Sequence, residues 1–147
     1  MPLQMMRRIS AVVDFSQVNY WAVAAATIVT MFLGFLWYSQ VLFSKAWVKQ
    51  MDKKMEDMSG GGPMTYVLTA LTALGGSWVL ALILTLSDNP SIGTGMTVGL
   101  LMGIAVALKI GMNFLFEGRK PGLYYITVGY HLVSFVLSGL IIGAMQG

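Results

Sequence analysis

The sequence predicts an all-α protein: an integral membrane bundle of four transmembrane helices, with a short amphipathic interfacial helix after the first. Three observations carry that prediction. The chain has 147 residues, 56% hydrophobic and only 10% charged, where a soluble domain carries about 25% charged residues. Its mean hydropathy is +0.73. Four apolar segments are each long enough to cross a bilayer, which takes about 20 residues as a helix. Together they use most of the chain, which reads as one transmembrane domain over residues 1–147.

The elements follow in order. Met1 to Gln17 holds Arg7 and Arg8 but no long apolar run, so it is not a secretory signal by itself. The first span, residues 18–42, follows at once and can serve as an uncleaved signal anchor. Asn19, Tyr20 and Trp21 at its start, and Trp37 and Tyr38 near its end, fit the aromatic belts of a membrane helix. Over residues 44–58, Trp47, Met51, Met55 and Met58 recur at helical spacing, with Lys45, Lys49, Asp52, Lys53 and Glu56 on the other faces. That pattern fits a helix lying on the membrane surface, continuous with the first span or bent from it. Gly60, Gly61, Gly62 and Pro63 end it. The second span covers 64–86, and Ser87, Asp88, Asn89 and Pro90 form a turn. The third covers 92–116, closed by Glu117, Gly118, Arg119, Lys120, Pro121 and Gly122. The fourth covers 123–145.

Every span carries a ladder of small residues four apart. They are Ala22, Ala26, Thr30 and Gly34, then Thr65, Thr69, Ala73, Ser77, Ala81 and Thr85. The third span has Gly95, Gly99, Gly103, Ala107 and Gly111, and the fourth Gly139, Gly143 and Gly147. Such ladders let helices approach closely in lipid, so they read first as packing seams and as a possible subunit interface.

Composition excludes several kinds of chemistry. With no cysteine and one histidine, disulfides, thiol chemistry and a multi-histidine metal site within one subunit are ruled out. The net charge of +3 fits loop lysines facing anionic headgroups better than nucleic-acid binding. The expected partners are membrane lipids and itself or another membrane protein, with no cofactor. Lys45, Lys49, Lys53, Lys54, Arg119 and Lys120 lie in the two loops on one side, against Arg7 and Arg8 on the other. That places loops 1–2 and 3–4 in the cytoplasm and both termini outside.

Lys109 is the one acidic or basic side chain well inside an apolar span. A charge at that depth is by default a functional hypothesis. It shares a helix face with Asn113 and Glu117. It lies eight residues before Glu117, roughly 12 Å along the helix, and His131 lies nine after Gly122, roughly 13 Å. Depth counting therefore sets Lys109 level with Tyr130 and His131. Lys109 lies off the glycine face, which leaves two orientations: snorkelling along lipid to the headgroups, or facing a cavity with Asn113, Tyr130 and His131. No Asp or Glu lies within a span, so a charged ligand would be anionic. No nucleophile, base and orienting group assemble with specific spacing, so no catalytic residue is assigned.

Two stretches carry a resemblance. One is GFLWYSQVLFSKAW from Gly34 to Trp47, and the other is NFLFEGRKPGLYYITVGYHLVSFVLSGLIIG from Asn113 to Gly143. Together they resemble the bacterial membrane family called domain of unknown function 1761. Its signature falls here on Gly34, Trp37, Tyr38, Ser39, Lys45, Ala46, Trp47, Asn113, Phe116, Glu117, Gly129, Tyr130 and His131. The chain departs from it at Gln40, where the family pattern has a proline that would break the helix. The resemblance implies four membrane helices in an inner membrane and no assigned activity. It gathers the signature at the cytoplasmic ends of spans one, three and four.

The functional expectation is a non-enzymatic membrane protein, a homo-oligomer or an accessory subunit of a membrane complex. Its cytoplasmic-side polar pocket would be formed by Trp37, Tyr38, Lys45, Lys109, Asn113, Glu117, Tyr130 and His131. The alternative is a small transporter or channel for an anionic or polar solute. A lipid-directed membrane enzyme is the third reading.

Overall fold

The computed structural model describes residue 3 and residues 14–51 and 62–146. Arg7, Arg8, Asp52, Lys53, Lys54, Met55, Glu56, Met58, Gly60, Gly61 and Gly147 lie outside the described residues. The second half of the expected interfacial helix therefore does too. A single 3-10 turn at Phe15–Gln17 precedes five helices: α1 (Tyr20–Trp37), α2 (Ser44–Met51), α3 (Gly62–Leu84), α4 (Ile92–Glu117) and α5 (Pro121–Gln146). No strand occurs among the described residues. By length and composition α1, α3, α4 and α5 are each able to cross a membrane, and α2 is the short helix expected after the first.

Local chemistry sets the ends. The Asn19 side chain caps α1 by accepting from Ala22 N, and Ser91 caps α4 by accepting from Thr94 N. Each satisfies one of the amide donors a helix start leaves free. Gly118 ends α4 at φ 64°, the left-handed conformation glycine adopts without steric cost. There Arg119 N donates to Phe114 O, and Arg119 lies over the Phe114 ring at 4.4 Å.

The first span ends sooner than hydropathy suggests, at Trp37 rather than residue 42. No proline is needed. Ser39 Oγ donates to Leu36 O at 2.7 Å, and the Ser39 carbonyl accepts from both Leu42 N and Ser44 N. The chain folds over on itself and α2 comes to lie beside α5, with Gln50 against Gly122.

The bundle is built around α5. Helix α4 runs antiparallel to it along the glycine ladder, and the register is direct. A Cβ on Gly95 would overlap the Gly139 carbonyl, one on Gly139 the Gly95 carbonyl, and one on Gly99 the Phe135 carbonyl. Gly143 faces Ser91 in the same way. The ladder on the third span is therefore a backbone-to-backbone seam, as small-residue stripes in lipid tend to be.

The two ends of the bundle differ. At one end, Val18, Ala22, Val23, Ala26, Leu80, Ala81, Leu84 and Ile142 form a closed apolar cluster. Polar side chains clasp the helix termini over it. Asn19 Nδ2 donates to Met145 O at 3.0 Å, Asn19 N to Gln146 Oε1 at 3.2 Å, and Gln146 Nε2 to Ala81 O at 3.3 Å. At the other end α3 meets α1 through Tyr66, stacked on Phe35 at 6.1 Å, and is otherwise largely exposed. Its buried residues are Ser77, Leu80, Ala81 and Leu84, all in its C-terminal part. Met64, Val67, Leu68, Leu71 and Leu74 are exposed.

Candidate functional site

The ladder of α1 changes from alanine to hydroxyl midway along the bundle, and that of α3 alternates the two. On α1 the small residues run Ala22, Ala26, Thr30; on α3, read from its closed end, they run Ala81, Ser77, Ala73, Thr69. Ala22, Ala26 and Ala81 pack in the closed cluster. Beyond them, where α3 diverges, the hydroxyl-bearing steps border a cavity of about 330 Å³. It is lined by Thr30 of α1, by Thr69, Thr72, Ala73, Gly76 and Ser77 of α3, by Val106 of α4, and by Tyr130, His131, Ser134, Phe135 and Ser138 of α5. None of these side chains is acidic or basic apart from the imidazole. The volume is at the lower end of the range for small-molecule sites.

Most of the lining is held in place by hydrogen bonds. Tyr130 OH donates to Thr30 O at 3.1 Å, and Thr30 Oγ1 and Ser138 Oγ lie 3.1 Å apart. Ser134 Oγ donates to His131 O at 3.0 Å. On α3, Thr69 Oγ1 donates to Thr65 O and Thr72 Oγ1 to Thr69 O, both at 2.7 Å. The His131 ring stands beside Tyr130, its centroid 5.3 Å from the phenol's.

An aromatic group supports the inner face of α5. The Trp37 indole N–H donates to Ile126 O at 2.9 Å, and the ring lies against Phe43 at 4.7 Å and Tyr130 at 6.5 Å. Tyr38 packs on Tyr130 at 5.9 Å and on Trp47 at 5.0 Å. Burial raises the Tyr38 phenol above its usual value, because the ionised form loses hydration. Two glycines make room for these rings. A Cβ on Gly34 would stand 3.3 Å from Tyr130 OH, and one on Gly129 2.9 Å from Trp37 Cζ2. Tyr130→Phe keeps the ring stack and removes one bond to a carbonyl inside α1. It is expected to cost about 1 kcal/mol, read by equilibrium unfolding in detergent. A loss above about 3 kcal/mol would make the hydroxyl a keystone of the fold rather than part of a cavity wall.

The residues expected to share a pocket fall into two groups. Trp37, Tyr38, Tyr130 and His131 come together, and of these Tyr130 and His131 line the cavity. Lys45 is exposed on α2. Lys109, Asn113 and Glu117 do share one face of α4, and that face is exposed, away from the cavity. Depth also separates them. Gly103 packs on Leu132 and Gly99 on Phe135. That register carries Lys109 to the level of Tyr125 and Ile126, about 8 Å from His131 at about 1.5 Å per residue. Counting back from the turn misses this because α4 runs on past the start of α5. Glu117 instead pairs with Arg119 at 3.6 Å at the exposed turn.

Thr30, Thr69, Thr72, Ser77, Ser134 and Ser138 were not among the expected site residues. Thr30, Thr69 and Ser77 are hydroxyl steps of ladders otherwise read as packing seams, while Thr72, Ser134 and Ser138 lie off those ladders. Gly34, Gly95, Gly99, Gly103, Ala107, Gly139 and Gly143 do pack helix to helix or helix to ring, and Gly111 faces Tyr124, whose hydroxyl donates to Ala107 O at 2.9 Å.

No curated protein matches the chain, and no solved structure matches it. The family model described as "Protein of unknown function (DUF1761)" matches residues 21–143. The match spans α1 to α5 and every residue that lines the cavity. The chain belongs to this family of unknown function.

Proposed function

We propose that this chain is a non-enzymatic, multi-pass protein of the inner membrane that holds a small uncharged, hydrogen-bonding molecule in the cavity between α1, α3, α4 and α5. One observation carries the reading: a space of about 330 Å³ inside an apolar bundle is lined by hydroxyls and one imidazole, with no carboxylate, ammonium or guanidinium among the described residues. Polar groups set into an otherwise apolar pocket fix a ligand's orientation, and they are costly to keep there without a partner. The lining supports binding over catalysis. Tyr130 and Ser134 give their protons to backbone carbonyls, so neither is paired with His131 as an activated nucleophile requires.

The remaining expectations belong to the same proposal. Lys45, Lys49, Arg119 and Lys120 favour a cytoplasmic position for the α2 end of the bundle, with both termini outside. The exposed Lys109, Asn113 and Glu117 then face lipid headgroups, a second copy or another membrane protein, as a homo-oligomer or accessory subunit would need. A second reading, a small transporter for a polar solute, draws support from the divergence of α3, which opens the cavity sideways. Anionic solutes fit poorly, since Lys109 is outside the cavity.

Gly76 provides the test. It lines the cavity, and a Cβ there meets nothing within 4 Å. Gly76→Leu should fill the space without disturbing the backbone, and replacing a helical glycine favours α3 by up to about 1 kcal/mol. Gly75→Leu is the control, since Gly75 also has open space and does not line the cavity. Native mass spectrometry of the full chain in mild detergent should show a bound small molecule on the wild type and on Gly75→Leu, and none on Gly76→Leu. Identical spectra for all three, at unchanged stability, would remove the cavity as the binding site.

A further inference from the structure

We infer that the cavity selects an uncharged alcohol that enters from the membrane, because its hydroxyls present acceptors rather than donors. This rests on the binding role proposed above and names its ligand class. A hydroxyl has one hydrogen and two lone pairs. Thr69, Thr72, Tyr130 and Ser134 each commit that hydrogen to a backbone carbonyl, at 2.7, 2.7, 3.1 and 3.0 Å. What they turn toward the cavity is lone pairs. The Thr30–Ser138 pair, 3.1 Å apart, uses one of its two hydrogens internally. The lining is thus rich in acceptors, with Ser77, the second hydrogen of the Thr30–Ser138 pair and one imidazole N–H as its remaining donors.

A ligand that complements this surface must donate. An ammonium would donate, but among the described residues no carboxylate lines the cavity to compensate a buried charge. A ketone or ether can accept from those few donors, but it leaves the lone pairs of Thr69, Thr72, Tyr130 and Ser134 without a hydrogen. An alcohol gives one hydrogen to the threonine and serine oxygens and accepts from Ser77 or His131. The route follows from α3. Thr69 and Thr72 are exposed at the mouth, between the exposed apolar side chains Leu68, Leu71 and Leu74. A long-chain alcohol can seat its hydroxyl within and leave its chain among those leucines.

The test uses the full chain in phosphatidylcholine nanodiscs with two photoreactive probes. One is hexadecanol carrying a mid-chain diazirine, and the other is its methyl ether, which differs in the missing donor. The alcohol should label α3 and α5 peptides that line the cavity, about tenfold more than the ether does. Thr69→Val with Thr72→Val, at two exposed positions where folding tolerates the change, should bring that ratio close to one. Suppression of the alcohol label by excess glycerol keeps the alcohol chemistry and moves its source to water, overturning the membrane route. Equal labelling by alcohol and ether, or a ratio unmoved by the double variant, overturns the donor selection while leaving a binding cavity. Labelling by neither probe, with glycerol also failing to bind, overturns the cavity reading and this inference with it.

Discussion

Gly95→Ala is expected to destabilise the protein by roughly 3 kcal/mol or more, at the upper end for an overpacked site. The added methyl would overlap the carbonyl oxygen of Gly139. That atom belongs to a helical backbone and has no rotamer into which it can withdraw. Helices α4 and α5 must then part at their closest crossing. Parting them there also loosens Gly99 against Phe135 and Gly143 against Ser91, and dispersion energy falls steeply with a gap of under an ångström. Gly139→Ala should cost a similar amount, and the double variant less than the sum, because the helices separate only once. Gly103→Ala should be milder, since the nearest atom is the mobile Cδ2 of Leu132 at 3.0 Å. Gly75→Ala, in open space, should be neutral or stabilising by up to about 1 kcal/mol. Thermal unfolding followed by circular dichroism in one detergent ranks them. A Gly95→Ala protein that melts with the wild type would show that the seam is not a close backbone contact.

Trp37→Ala should cost roughly 3 kcal/mol, the lower end for removing a tryptophan from a packed site, because the ring is only half-buried. The change deletes the bond to Ile126 O and the packing on Phe43, Gly129 and Tyr130. Tyr130 loses a neighbour on the side away from His131, so the cavity wall loosens with the fold. Trp37→Phe keeps much of the ring area and drops only the N–H. It should cost about 1 kcal/mol plus a small packing loss. The ratio of the two losses, measured by equilibrium unfolding, tests whether packing or the hydrogen bond holds α1 to α5. Near-equal losses would assign the role to the N–H.

Hydropathy made the four long helices legible, because a bilayer-length apolar run is hard to mistake. Their ends were less so. Helix α1 stops at Trp37 because Ser39 closes a turn with its own side chain, a local competition that span averaging smooths away. Of the site, Tyr130 and His131 were legible as polar residues inside an apolar span. Lys109 drew attention for the same reason, and it alone cannot reveal which way it points. That orientation is set by the glycines of its helix, which turn toward α5 and rotate Lys109 to the outside. Thr30, Thr69 and Ser77 were legible as ladder positions; Thr72, Ser134 and Ser138 lie off the ladders and were not. Their role depends on α3 diverging from α4, a property of packing between helices that no single span records.

The clasp of Asn19 and Gln146 over Ala81 has a mechanical consequence. It pins α3 near one end, and the stack of Tyr66 on Phe35 at 6.1 Å ties the long arm beyond to α1. From Leu80 to Gly62 that arm measures about 27 Å at about 1.5 Å per residue, so a tilt of about 6° moves its tip by about 3 Å, the width of a water molecule. Small strains at the pivot are therefore magnified toward the tip, and two amide side chains at one end and one ring stack near the other together govern how wide the gap beside α4 stands.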